Sequence, residues 1–358
     1  MNVPARQLGT GRTLDEWLTA LGREREVIAL EPGERGDYHL ARSDGWQPGR
    51  FTLGPYRPVD PLKIVLCPPR QSLGPLFPED PPHPRRQRLV VGVKNCDLAG
   101  LEIQDHVFTG LAPADPGYAA ARASTILVSC DCTDIRDTCF CPVLGVQPYA
   151  ETRFDINLSP VSGQVLVEAG SQQGERLLNE TSDCLAPADV ETVKARDEQR
   201  AAIRRRLLEQ AAGHGLQPDT DLTRAIRAAS DSPLWDDFAA DCVECGACNY
   251  VCCSCHCFLL ADGALAGGAP GRDRQWDSCL LMNFARVAGG GNPRAGRAER
   301  LHNRFDKKFS YFPDVLGVYG CDGCGRCTEA CPGTIDIRAV LKRAVDEQPT
   351  LCACPGNH

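Results

Sequence analysis

Residues 242–258 read CVECGACNYVCCSCHCF, with seven cysteines between Cys242 and Cys257. No single metal site takes that many, so the spacing has to divide them. Cys242, Cys245, Cys248 and Cys252 form C-x2-C-x2-C-x3-C, and the same spacing returns at Cys321, Cys324, Cys327 and Cys331, followed by Pro332. In the bacterial ferredoxin pattern, three cysteines on a tight loop reach three corners of one iron-sulfur cube. The fourth, on the helix that follows, points away and ligates the other cube. Cys242, Cys245, Cys248 and Cys331 are therefore expected to hold one 4Fe-4S cluster, and Cys252, Cys321, Cys324 and Cys327 a second. This exchange of ligands forces the clusters close together, and close clusters pass electrons. Zinc also uses C-x2-C hooks, but a zinc ribbon supplies two separated pairs, not two triplets each with a trailing cysteine.

Residues 253–320 separate the quartets, a longer insert than a compact bacterial ferredoxin has. The stretch SCLLMNFARVAG within it is helix-like, which favours a helical ferredoxin arrangement. Further on, RAGRAERLHNRFDKKF carries Arg294, Arg297, Arg300, Arg304, Lys307 and Lys308. Such a run is commonly a solvated helix face. Between two anionic clusters, some of these charges would raise cluster potential or dock an acidic partner.

Upstream the pattern is α/β. KIVLC, RLVVGV and STILVS are short β-branched apolar runs expected as strands, and DLAGLEIQDHVF reads as a helix with Asp97 as its N-cap. LDEWLTALGRE is a short helix near the start, and FDINLSPVSGQVLVEAG reads as two strands joined by a turn. DVETVKARDEQRAAIRRRLLEQAAGH has helical spacing, ended by Gly213 and Gly215. The expected class is α+β, with an N-terminal α/β domain over residues 1–185, a helical connector over 186–241, and a helical dicluster ferredoxin-like domain over 242–358.

Two of the upstream strands run almost directly into cysteines, at Cys96 and Cys130. In an open α/β sheet, ligands bind at the carboxyl ends of the strands. With CFC on the following loop, Cys96, Cys132, Cys139 and Cys141 are a candidate third 4Fe-4S site, against plain structural or zinc-binding cysteines. Cys253, Cys255, Cys257 and Cys279 have no cluster corner left to fill. Packing as small buried hydrophobes competes there with a further metal site or a reactive thiol. The tail CACPGNH offers Cys352, Cys354 and His358, but termini are commonly disordered and no site is assigned to it.

Composition narrows the function. Acids outnumber bases 47 to 39, for a net charge of −8, which argues against a dedicated nucleic-acid binder. No apolar run is long enough for a membrane span or a secretory signal, so a cytoplasmic protein is expected. In that reducing compartment, 21 cysteines are better explained as metal ligands than as disulfides. No G-x-G-x-x-G follows a strand, no P-loop is present, and no nucleophile with a placed base can be read, so no residue is assigned a catalytic role.

Together, CVECGACNYVCCSCHCF, RDRQWDSC, GGGNPRAGRAERLHNRFDKKFSYF and CDGCGRCTEACPGTIDI resemble the beta subunits of cytoplasmic sulfhydrogenases and their relatives in anaerobic sulfite reductases. VGVKNCDLAGLEIQDHVF and DTCFCPVLGVQP are similar to the N-terminal half of the same family. The chain departs from the pattern at Cys253, where the family has proline, and at Gly291, where it has histidine. The resemblance implies an iron-sulfur electron-transfer subunit. Its partners would be a flavin subunit that handles NAD(P)H and a nickel-iron hydrogenase module. The alternatives are a sirohaem sulfite reductase as the terminal enzyme, a free-standing iron-sulfur reductase, and a zinc-stabilised scaffold.

Overall fold

The structure is a computed structural model that describes residues 5–9, 11–75, 86–264 and 268–348. Cys352, Cys354 and His358 lie outside the described residues. In chain order the described strands are β1 (Arg6–Leu8), β2 (Glu26–Pro32), β3 (Tyr38–Ser43), β4 (Arg70–Pro75), β5 (Arg88–Val93), β6 (Thr125–Cys130), β7 (Ile156–Val161), β8 (Gln164–Ala169), β9 (Leu185–Pro187), β10 (Phe258–Ala264) and β11 (Pro270–Trp276). Eight of them form a mixed sheet in the order β3-β2-β5-β6-β7-β8-β1-β9. The pairs β2/β5, β5/β6 and β6/β7 are parallel, and the flanking pairs antiparallel.

Strands β5 and β6 are buried at every position, which explains why they read as continuous apolar runs rather than alternating ones. One face of the sheet packs Trp17, Leu18, Leu89, Val91, Ile126 and Val128. The other packs Val90 and Leu127 against Leu98, Leu101, Phe108 and Tyr118. Strand β9 straddles the expected division at residue 185. The long helix Val190–Gly213 packs beside β7 and β8, where Arg200 reaches Asp131 at 2.7 Å and Arg196 reaches Glu168 at 2.7 Å.

Three expectations are corrected, and one element is new. KIVLC is not a strand: Lys63–Leu66 is a single helical turn, because short apolar runs carry no periodicity long enough to separate the two states. Asp97 is not the N-cap. Lys94 caps Asn95–Asp105, and Asp97 accepts from the Leu62 amide at 3.0 Å while pairing with Arg326 at 2.6 Å. SCLLMNFARVAG is a run of turns. Asn249 Nδ2 captures Ser278 Oγ at 2.8 Å and Cys279 Sγ at 3.1 Å, and the backbone bonds that follow span three residues, as in Leu281 to Ser278 and Phe284 to Leu281. The insert also contains the β10–β11 hairpin, which pairs with β4 in a second, three-stranded sheet for which the sequence carries no clear signal.

The C-terminal half packs helices Leu222–Ala228, Leu234–Ala240, Arg297–Asp306 and Ile337–Asp346 around Ile226, Leu234, Trp235, Phe305, Phe309, Val340 and Leu341. No helix among the described residues is long and apolar enough to cross a membrane.

Candidate metal centres

The two quartet loops have the same backbone. Glu244 (φ 58°) and Gly246 (φ 72°) flank Cys245 in left-handed conformations, as Gly323 (φ 63°) and Gly325 (φ 71°) flank Cys324. Gly246 and Gly325 then start the short helices Ala247–Tyr250 and Arg326–Glu329. Left-handed residues on both sides of the middle cysteine curl the loop, so that three side chains turn to one interior.

Three cavities follow from this geometry. The first is lined by Cys242, Cys245, Cys248 and Cys331, with Leu280, Leu301, Arg304, Phe305 and Cys327. The second is lined by Cys252, Cys321, Cys324 and Cys327, with Phe140, Arg304, Lys308 and Asp322. The third lies at the carboxyl ends of β5 and β6 and is lined by Cys96, Cys132, Cys139 and Cys141, with Tyr56, Arg57, Asn95, Leu207 and Cys324. The structure thus gathers each expected quartet, including the two exchanged between loops, around its own space. Cys327 borders the first and second cavities, and Cys324 the second and third.

The third cavity is built against the second loop. The Phe140 amide donates to Gly323 O at 2.8 Å, and Arg57 Nε to Cys324 O at 2.7 Å. A Cβ on Gly323 would meet Cys141 Cα at 2.5 Å, and one on Gly325 would meet Thr138 O at 2.3 Å, so only glycine permits this approach. Gln210, on the long helix, fixes the far side by donating to Cys139 O at 2.7 Å. Cys130 is not part of this site; it is buried in the sheet core.

Burial raises the free thiols in these cavities. Cys132 and Cys248 are each pushed up to about 12, and Cys96, Cys139, Cys141 and Cys321 also rise. Bare thiolates would be costly there, and a metal group supplies the positive charge that stabilises them. Cys324 moves the other way, to about 6, chiefly through the neighbouring Cys253 thiol.

Buried cations surround the cavities, and the sequence marked only some of them. In the basic segment Arg300, Arg304 and Lys308 lie four residues apart and are all buried, so one stripe of that run faces inward. Lys308 Nζ donates to Cys252 Sγ at 3.2 Å, Ser254 Oγ at 3.1 Å and Gly320 O at 2.7 Å. Arg57, Lys63, Lys94 and Arg326 are buried as well and carried no recognisable motif. Arg304 Nη2 is buried without a hydrogen-bond partner in a side chain that borders the first two cavities. An anionic group with acceptor sulfurs, held among the cysteines, would satisfy it. Among the described residues, no three His, Cys, Asp or Glu side chains converge on a position for a single metal ion.

The four surplus cysteines now have places. Cys253 Sγ donates to Asp322 Oδ2 at 2.9 Å and lies 3.3 Å from Cys96 O, packed on Gly100. Cys255 lies 3.5 Å from Asn249 Oδ1, and Cys279 accepts from Asn249 Nδ2. Cys257 is half-buried where β10 begins, and its carbonyl accepts from the Asp277 amide.

Residues 241–335 match the 4Fe-4S dicluster domain family. Over 256 residues the chain is 33% identical to sulfhydrogenase 2 subunit beta of Pyrococcus furiosus, covering 71% of this chain and 72% of that protein. The chain belongs to the sulfhydrogenase beta-subunit family. Its 4Fe-4S domain gives it an iron-sulfur electron-transfer role. The match extends well beyond the dicluster domain, since 256 aligned residues exceed the span 241–335. In this member of the family, cysteine follows the fourth cysteine of the first loop, and that residue is the buried Cys253.

Proposed function

We propose that this chain is the electron relay of a cytoplasmic hydrogenase complex, passing electrons between a flavin subunit that handles NAD(P)H and a nickel-iron catalytic module. Three 4Fe-4S clusters would lie in series. The ligands would be Cys242, Cys245, Cys248 and Cys331 for the first, Cys252, Cys321, Cys324 and Cys327 for the second, and Cys96, Cys132, Cys139 and Cys141 for the third. The observation that carries this reading is the sharing of Cys327 and Cys324 between successive cavities, which leaves no gap along the line. Each cluster, when bound, takes up and gives back one electron without making or breaking a bond to substrate.

The chain's own residues hold, screen and neutralise. Arg304 borders the first two sites, Lys308 the second and Arg57 the third. The N-terminal end of Asn95–Asp105 adds its dipole at Cys96. At the first site Cys245 is exposed, beside exposed Val243, which suits the surface where one partner docks. The domain division that fits this role is the α/β unit over 1–185, the helical segment 186–241 and the dicluster unit over 242–358, with the third cluster at the first unit's edge.

Iron analysis of the purified chain tests the count. About twelve irons per chain are expected, falling to about eight in Cys132→Ser. About eight in the unsubstituted protein would sink the third cluster. The chain alone is expected to neither oxidise hydrogen nor reduce NAD(P)+, and turnover by the isolated chain would sink the relay.

A further inference from the structure

Cys252 receives more donors than any other described cysteine. Lys308 sits in the π-helical turn Lys307–Tyr311, a local irregularity that swings its side chain inward and is often found where function requires it. Its ammonium is 4% exposed, and its three protons meet three acceptors: Cys252 Sγ, Ser254 Oγ and Gly320 O. Ser254 Oγ also lies 3.2 Å from Cys252 Sγ. The neighbouring thiols are engaged elsewhere, Cys253 with Asp322 Oδ2 at 2.9 Å and Cys255 with Asn249 Oδ1 at 3.5 Å. At the first site the comparable bond is a neutral one, from the Ile335 amide to Cys331 Sγ at 3.4 Å. Arg304 is common to both cavities and does not distinguish them.

We propose that Lys308 makes the cluster held by Cys252, Cys321, Cys324 and Cys327 the higher-potential member of the pair, so that it is the first to be reduced. The inference rests on the two-cluster reading above. Reduction adds one electron, supplied by a low-potential one-electron donor, to a cluster that is already anionic, so a buried cation in contact with a ligand sulfur favours the reduced form. Solvent at the exposed Cys245 acts in the same direction on the first cluster, but water screens and moves, whereas the ammonium is fixed and desolvated. Asp322 is the one carboxyl lining the second cavity. It meets the Cys253 thiol at 2.9 Å rather than a ligand sulfur, whereas Lys308 touches Cys252 Sγ itself.

Potentiometric titration of the full-length chain, followed by electron paramagnetic resonance, tests this. Cys324→Ser identifies the signal of the second cluster. That signal is expected to appear at the higher potential. In Lys308→Met the reduced-to-oxidised ratio at the wild-type midpoint should fall by about tenfold or more, as loss of a charged hydrogen bond implies. Lys308→Arg, which keeps the charge, should restore much of it. If Lys308→Met fails to fold, the neutral polar variant Lys308→Gln decides in its place. The proposal is overturned if the first cluster is reduced first, or if full-iron Lys308→Met or Lys308→Gln titrates like wild type. Absence of any 4Fe-4S signal from the unsubstituted chain would instead overturn the cluster reading beneath it.

Discussion

Arg326 and Asp97 are 1% and 3% exposed and meet at 2.6 Å, tying the second cysteine loop to the helix that carries Cys96. A buried pair of this kind adds little over a well-packed apolar pair, but breaking it leaves one charge without compensation. Arg326→Met is therefore expected to cost about 3–5 kcal/mol in denaturant unfolding, and adding Asp97→Asn should recover part of that loss. Recovery of nothing would mean that Arg326 acts through Pro58 O and Asp60 O, its other acceptors. Cysteine by cysteine, position decides chemistry. Cys130 and Cys132 are two residues apart, yet one faces the sheet core and the other a cavity. Cys130→Ala should keep the full iron content that Cys132→Ser loses, as measured by iron and sulfide analysis. Equal losses from both would remove the basis for choosing Cys132.

The two cysteine loops were legible as elements, because a C-x2-C-x2-C-x3-C spacing constrains the backbone whatever surrounds it. Left-handed glycines before and within the second loop serve unequal ends. Gly317 (φ 72°) has nothing near its missing Cβ, whereas Gly325 (φ 71°) abuts Thr138 O. Alanine at 317 should cost about 1 kcal/mol, the strain of a left-handed residue alone. Alanine at 325 should cost more and loosen the Cys139–Cys141 loop. Thermal unfolding of both variants checks this, and equal losses would show that close packing at 325 contributes nothing. Other elements were not legible. KIVLC has the composition of a strand but forms a turn of helix that places Lys63 Nζ on Asn249 O at 2.9 Å and Cys255 O at 3.1 Å. SCLLMNFARVAG has helical composition but is held in turns by Asn249. In both, side-chain bonds to residues distant in sequence outweigh a weak local preference.

Over the whole molecule, the three cysteine cavities follow one another through shared lining residues, Cys327 and then Cys324, from the exposed Cys245 to the carboxyl edge of the large sheet. On the proposed three-cluster reading, clusters in such neighbouring cavities should interact magnetically. The fully reduced chain is expected to show broadened, coupled resonance signals, and Cys132→Ser should simplify the part due to the second site while leaving the coupling between the first two. Three sharp, independent signals would show that the sites are too far apart to act in series.

The sequence by itself determined the two cysteine quartets, the expected exchange of their fourth members and the α/β character of the first half. Each depends on local spacing or on periodicity, which are properties of neighbouring residues. Only the tertiary structure decided that the Cys96 set lies against the second cysteine loop and that Arg304 and Lys308 turn inward. It also decided that Cys253 meets Asp322 and the Cys96 carbonyl. Those relations join segments up to some two hundred residues apart, as Arg326 to Asp97 does across 229 positions. They follow from the close packing of two glycines on a loop and from the need of buried cations for anionic partners, neither of which leaves a periodic trace in the chain.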